Sequence, residues 1–158
     1  MGRFMNHKKW VVALALIATA LILTHLPVSE ADAAASASEF QIEGSTLTKY
    51  RGSDERVTIP DTVEVVGESA FENNQKVQLV VVPKSVKRMD AYVFWGCNNL
   101  EEVVLGKGLT SVDEYAFSGC TGLKQITIPE NVQSIDAQAF AGCTNLTDIY
   151  IPDTVTSI

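Results

Sequence analysis

Three cysteines, Cys97, Cys120 and Cys143, stand at a constant step of 23. A fixed step of this kind brings thiols into one column when it matches a structural repeat, and a thiol column is the donor set of a redox pair or a soft-metal site. The same spacing also describes a row of small buried side chains, because free cysteine is among the most buried residue types. The packed row is the reading adopted here. Carboxylates occur as the neighbouring pairs Asp54-Glu55, Glu101-Glu102 and Asp113-Glu114. A general acid and its base must converge on one reacting group, whereas neighbours on an extended strand point to opposite faces, so these pairs read as solvated side chains. The remaining titratable candidates near neutrality are His7 and His25, both ahead of Leu26.

That first stretch does not have the character of a folded domain. Arg3, His7, Lys8 and Lys9 precede an apolar run from Trp10 to Leu23, in which Thr19 is the only polar residue. Small residues follow at Ala31-Asp32-Ala33 and again at Ala35-Ser36-Ala37. This is the three-part pattern of a secretory signal peptide. An uncleaved anchor is the competing reading, but about 14 residues of helix rise only about 21 Å, short of the roughly 30 Å hydrocarbon core. Residues 1–33 are therefore expected to be a signal peptide, removed after Ala33 or Ala37, with Met1 or Met5 as the start. Membrane contact is expected only through this segment before cleavage, and no cysteine lies nearby to carry a lipid.

The composition of the remainder excludes several kinds of function. Across the whole chain 12 Lys and Arg oppose 19 Asp and Glu, a formal charge of −7 at a sequence pI of about 4.7. Residues 1–33 hold three basic and two acidic residues, which leaves 9 against 17, or −8, for residues 34–158. An acidic surface without basic clusters argues against nucleic acid as a partner. Residues 34–158 contain no histidine. Ser-His-Asp and Cys-His nucleophile pairs and imidazole zinc sites are thereby excluded. Neither a calcium loop nor a phosphate-cradling glycine motif is present, so no catalytic residue, metal or cofactor is assigned and the chain is not read as an enzyme. Asn145-Leu146-Thr147 fits a glycosylation acceptor but is assigned no role, since Asn145 is a repeat position.

Internal repetition is the dominant signal. Phe71, Phe94, Phe117 and Phe140 recur at the step of 23, and each of the last three is followed three positions later by cysteine, with Asn74 in the first copy. Pro60, Pro83, Pro129 and Pro152 keep the same step, and Gly106 fills the gap. So do Val63, Val86, Leu109, Val132 and Val155, and likewise Val66, Met89, Val112, Ile135 and Ile158, and Val77, Leu100, Leu123 and Leu146. Cut from strand to strand, the units are 57–79, 80–102, 103–125 and 126–148, with a partial fifth at 149–158. Each opens on an alternating stretch such as Ile126-Thr127-Ile128-Pro129, where Ile126 and Ile128 point one way and Thr127 the other. Proline has no N–H to donate and ends the ladder. The segment from Val132 through Ala139-Phe140 to Cys143 is expected to be a compact turn, helical or irregular. No single unit is long enough to bury its own apolar face. Stacking buries it, which predicts a solenoid with parallel strands at about 4.8 Å.

The stretch AFSGCTGLKQITIPENVQSIDAQAFAGCTNLTDIYIPDTVTSI resembles the 23-residue leucine-rich repeats of BspA-like bacterial surface proteins, over residues 57–158. Phe40 to Pro60 is similar to the short lead-in that precedes the first repeat in that family, so 34–56 is expected to be an N-terminal lead-in or cap. The departures are Asn73-Asn74 for Gly-Cys in the first unit, Gly106 for Pro in the third, and Trp95 for a small residue. The resemblance implies an α/β leucine-rich-repeat solenoid: a curved parallel sheet with short helical or irregular outer turns, preceded by the signal peptide. It also implies export to the cell surface, adhesion or host interaction, and no enzymatic activity.

The outward strand residues form columns, and the sheet face of a solenoid is its usual binding surface. One column reads Thr58, Val81, Val104, Thr127 and Tyr150; its flanks read Gln78, Glu101, Lys124, Thr147 and Leu79, Glu102, Gln125, Asp148. Leu79, Val81, Val104, Thr127 and Tyr150, with Glu102 and Lys124, are the candidate ligand-binding residues, although β-branched and aromatic residues also suit strands for their own sake. Trp95 is expected to close over a repeat junction, and Tyr92 and Tyr115 to shield the outer turn. The expected function is a secreted or cell-surface module that binds a protein or extracellular-matrix ligand; the alternative is a non-catalytic targeting or spacer domain of a larger exported enzyme. The sequence stops at Ile158 inside the fifth unit without a polar cap, which leads to the expectation of a longer protein, or of end-to-end association if the chain does finish there.

Overall fold

A computed structural model describes residues 37–158. The expected signal peptide, residues 1–33, lies outside them. After a single 3-10 turn, Ala37–Glu39, the chain forms a hairpin of β1 (Phe40–Glu43) and β2 (Thr46–Tyr50). From there each unit contributes a three-residue and a two-residue strand in alternation: β3 (Arg56–Thr58) and β4 (Val65–Val66), β5 (Leu79–Val81) and β6 (Arg88–Met89), β7 (Glu102–Val104) and β8 (Ser111–Val112), β9 (Gln125–Thr127) and β10 (Ser134–Ile135). β11 (Asp148–Tyr150) is the last. The three-residue strands line up as one five-stranded sheet in the order β11-β9-β7-β5-β3, with every pair parallel.

The register of that sheet is the step of 23. Val57 pairs with Val80, Val80 with Val103, Val103 with Ile126, and Ile126 with Ile149. Val57, Val80, Val103 and Ile126 point into the core, and so do Ile59, Val82, Leu105 and Ile128 two positions on, as period-two alternation requires. A turn follows, closed by Val63 N–H to Pro60 C=O at 3.0 Å and by its counterparts at Val86, Leu109 and Val132. Gly106 closes the third of these turns in place of proline. A Cβ at Gly106 would run into the carbonyls of Val82 and Pro83, so the departure from proline marks a close approach between neighbouring coils.

The outer turns differ from the α/β expectation. Among the described residues there is no α-helix, and the turns take the irregular form that was the other alternative. Two columns of left-handed residues, four apart in each unit, are the reason. Ser69, Tyr92, Tyr115 and Gln138 have φ of 57°, 59°, 55° and 56°; Asn73, Gly96, Gly119 and Gly142 have 56°, 69°, 74° and 73°. A left-handed residue at every fourth position prevents an i to i−4 ladder from starting, so each turn is closed by bonds of the Trp95 N–H to Tyr92 C=O type, 3.0 Å. The first unit uses Asn73, the side chain that best tolerates this conformation after glycine.

Inside the turns runs a continuous stack of aromatic rings. Phe71, Phe94, Phe117 and Phe140 follow one another at 5.0, 5.3 and 5.3 Å between centroids. The hairpin extends the stack, with Tyr50 at 5.1 Å from Phe71 and Phe40 at 5.0 Å from Tyr50. β2 also joins the solenoid, Leu47 opposite Val66, and Tyr50 N–H donates to Ala70 C=O at 2.9 Å. The lead-in therefore builds a shortened coil, which the constant step does not detect because Tyr50 and Phe71 are two positions too close in sequence.

The cysteine column is packed. Cys97 and Cys120 are fully buried, Cys143 partly so, and each Sγ–H donates at 3.1 Å to the carbonyl of a phenylalanine in the preceding unit: Phe71, Phe94 and Phe117 in turn. Burial pushes the Cys97 thiol up to about 12 and the Cys143 thiol up to about 11, and raises Cys120 as well, helped there by the neighbouring thiols. Only the thiolate reacts at an appreciable rate. In the folded protein at pH 8, Cys143 is expected to react with a disulfide reagent about a hundredfold more slowly than a free thiol, its rate rising about tenfold per pH unit. Cys97 and Cys120 are expected to wait for denaturant, which counting titrated thiols against time will show. Phe94→Ala removes the centre of the ring stack at full burial and is expected to cost about 3–5 kcal/mol in urea unfolding.

Candidate functional site

The outward face of the five-stranded sheet carries the columns expected from the sequence. Thr58 pairs with Val81, Val81 with Val104, and Tyr150 with Thr127. Arg56, Leu79, Glu102, Gln125 and Asp148 form the column beside them. The third column is fixed by a backbone ladder in which Gln78 N–H donates to Glu55 C=O, Glu101 to Gln78, Lys124 to Glu101, and Thr147 to Lys124. Six of the seven candidates thus lie in the two outward strand columns, with Lys124 exposed just ahead of β9, but they are not equally available. Val81, Val104 and Glu102 are half-buried, Thr127 and Lys124 are exposed, and Tyr150 is 52 % exposed.

Leu79 departs from expectation. It lies in an outward column yet keeps only 9 % of its surface. It is not part of the core cluster, so its burial arises on the outer side, where Arg56 and Glu102 flank it in the ladder. Long side chains lay their methylenes over an apolar neighbour while keeping their charge in water. Leu79 therefore offers a floor rather than a contact surface.

Two more candidates are engaged. Lys124 Nζ meets Glu101 Oε2 at 2.7 Å, with both side chains more than half exposed, and an exposed pair of this kind contributes about 0–1 kcal/mol. Its effect is to pair a charge that a ligand would otherwise meet free. The Tyr150 hydroxyl donates to Glu130 Oε1 at 3.2 Å, and that hydrogen bond and the Glu130 charge hold the phenol above its ordinary range. Glu130, Arg56 and Glu55 are the residues that sequence reasoning left out. The column step carried back once from Leu79 and Gln78 would have found Arg56 and Glu55, and the same step marks Glu130 in the charged column Asp61, Lys84, Lys107, Glu130 and Asp153 just beyond the strands.

The arrangement suits recognition by contact. It offers a strip of half-exposed valines, a tyrosine at one end, threonines and charges on both sides, and a polar cleft beside it lined by Ser53, Glu55, Gln75, Lys76, Gln78 and Asn99. Among the described residues no group of three or more His, Cys, Asp or Glu side chains is placed to hold a metal ion.

Comparison with known proteins gives a consistent picture. The family described as BspA type leucine rich repeat region matches residues 44–158, in six copies. No curated protein sequence matches the chain. Among solved structures it is similar to a leucine rich cell surface protein from Faecalibacterium prausnitzii A2-165, with 34 % identity and a TM-score of 0.70, covering 72 % of this chain and 30 % of that one. It is also similar to the leucine rich repeat protein of T. pallidum, with 28 % identity and a TM-score of 0.75, covering 77 % of this chain and 62 % of that one. A leucine-rich repeat protein from Bacteroides capillosus shares 29 % identity at a TM-score of 0.58, covering 71 % of this chain and 97 % of that one. The chain thus spans less than a third of the first of these proteins and about three fifths of the second. With a match running through every coil from β2 to β11, the chain belongs to the BspA-type leucine-rich repeat family.

Proposed function

We infer that this chain is a non-catalytic interaction module, exported and displayed at the cell surface, which holds a protein or extracellular-matrix partner on the outward face of its five-stranded sheet. The observation that carries this reading is the column of Thr58, Val81, Val104, Thr127 and Tyr150. Val81 and Val104 stand in register, half-exposed, and Tyr150 stands two coils further on with half its surface in water. Apolar and aromatic side chains aligned on a rigid sheet are what a contact hot spot is made of, and the polar residues of the columns beside it supply its rim. Export rests on the sequence of residues 1–33 and on the cell-surface character of the F. prausnitzii protein with 34 % identity.

Binding by shape predicts a particular response to mutation. Val81→Ser, Val104→Ser and Tyr150→Ser together leave the inward residues of the same strands untouched, so the melting temperature is expected to move by only a few degrees. Capture of immobilised collagen, laminin or fibronectin, whichever of them the unaltered chain retains, is expected to fall at least tenfold by surface plasmon resonance. Equal capture by the triple variant would move the binding surface off this sheet.

A further inference from the structure

Away from the five-stranded sheet, the outer turns carry a second surface of different chemistry. Trp95, expected to close over a repeat junction, keeps 39 % of its surface open. It stands against Tyr92 at 6.5 Å between centroids with the ring planes at 85°, and Tyr92 lies flat on Tyr115 at 5.1 Å with 5° between planes. Tyr92 and Tyr115 are half-buried, so the three rings form one partly open aromatic patch.

The patch ends in a step. In the columns that hold Tyr92 and Trp95, the preceding coil has Ser69 and Glu72. The two coils are fastened there by Ser69 N–H to Ala91 C=O at 3.2 Å and Asn73 N–H to Trp95 C=O at 2.8 Å. Tyr115 stacks on one face of Tyr92, while Ser69 has no ring to offer the other. This step, one coil high, has the rings of Tyr92 and Trp95 on one side and the coil of Ser69, which carries Glu68 and Glu72, on the other, and forms a notch.

The charge around this notch is predominantly negative. Desolvation first, then the neighbouring Glu114, Tyr115 and Glu68, hold the Tyr92 phenol above its ordinary value. Among the described residues, Glu68, Glu72 and Glu114 enter no ion pair. Of the cations near by, Arg88 is paired with Asp90 at 2.6 Å, while Lys49 Nζ donates to the Ser69 carbonyl at 2.8 Å and keeps its charge, one ammonium against the three carboxylates. Glu72 has only a 3.4 Å contact from the Asn73 amide. Electron-rich ring faces beside an excess of carboxylates select an organic cation over an anion or a neutral group.

We propose that the notch formed by Tyr92 and Trp95 above Ser69, Glu68 and Glu72 receives an arginine or lysine side chain presented by a basic segment of a partner protein. The surface is separate from the strand columns, so the inference does not depend on the sheet-face reading. Arginine fits best, because its planar guanidinium stacks on a ring while its N–H groups reach a carboxylate.

The test uses the indole itself. In a Trp10→Phe chain Trp95 is the single emitter, and titration with hexa-arginine in 0.15 M salt is expected to give a saturable change in its emission. Coulomb attraction alone would draw an oligocation to an acidic protein, so one of the deciding variants keeps every charge. Tyr92→Leu, with Trp95 retained, is expected to weaken binding about five- to tenfold. Glu68→Gln with Glu72→Gln, which leaves every ring in place, is expected to weaken it similarly, and thermal unfolding will show that both variants are folded. Hexa-arginine binding that survives both changes, or tighter binding of a neutral oligosaccharide such as chitohexaose, would overturn the proposal.

Discussion

Every coil of this protein has to offer the next one a matching profile one strand spacing away, and the rest of the structure follows from that repeat distance. Ring centroids along the phenylalanine stack lie 5.0–5.3 Å apart, close to the spacing at which parallel strands hydrogen-bond. Backbone and side chains thus share one layer height, so the ladder and the ring stack reinforce each other. A position can hold a large residue only if its column holds space for it in the coil before and after. This is why substitutions between units are conservative inside (Val57, Val80, Val103, Ile126) and free outside (Arg56, Leu79, Glu102, Gln125).

The same constraint explains how polar groups are handled in the turns. A thiol at Cys97, Cys120 or Cys143 occupies little volume and donates to a carbonyl of the previous coil, so the column stays both filled and hydrogen-bonded. The left-handed residues are the counterpart on the backbone. Two reversals of φ per unit fold the turn tightly enough to fit the layer, at a conformational cost of about 1–3 kcal/mol for each non-glycine residue that the stacked neighbours over-determine. Tyr92 and Tyr115 bear that cost, and their rings lie parallel as a result of occupying one column with nearly the same φ.

Much of this was legible in the sequence because a fixed step is insensitive to local propensity. The strand register follows from counting in steps of 23, the inward and outward columns from period-two alternation within each strand, and the burial of the thiols from the preference of free cysteine for the interior. What was not legible lies where the count fails or where a neighbour's length decides. The shortened coil at Leu47 and Tyr50 is out of step. The turns lack helix because left-handed φ at Tyr92 or Gln138 has no signature in residues that usually avoid it. Leu79 is outward by parity but hidden, since parity says nothing of the side chains flanking it. Trp95 is open because its column offers Glu72 and Ser118 in place of a partner ring.

The first junction gives the array a direction of change. From the second coil onward the junctions are alike: a Cβ added at Gly119 or Gly142 would meet the preceding glycine at ordinary contact distance, and each thiol finds the equivalent carbonyl, so gain or loss of one whole unit would splice like surfaces together. The first coil cannot be exchanged in that way. Asn74 has its side-chain oxygen accepting from the Lys76 and Val77 amides and its Nδ2 reaching the Gly52 carbonyl, a carbonyl that exists only in the hairpin-bearing segment. The interior junctions are therefore interchangeable with one another, while the first is specific to the hairpin-bearing segment.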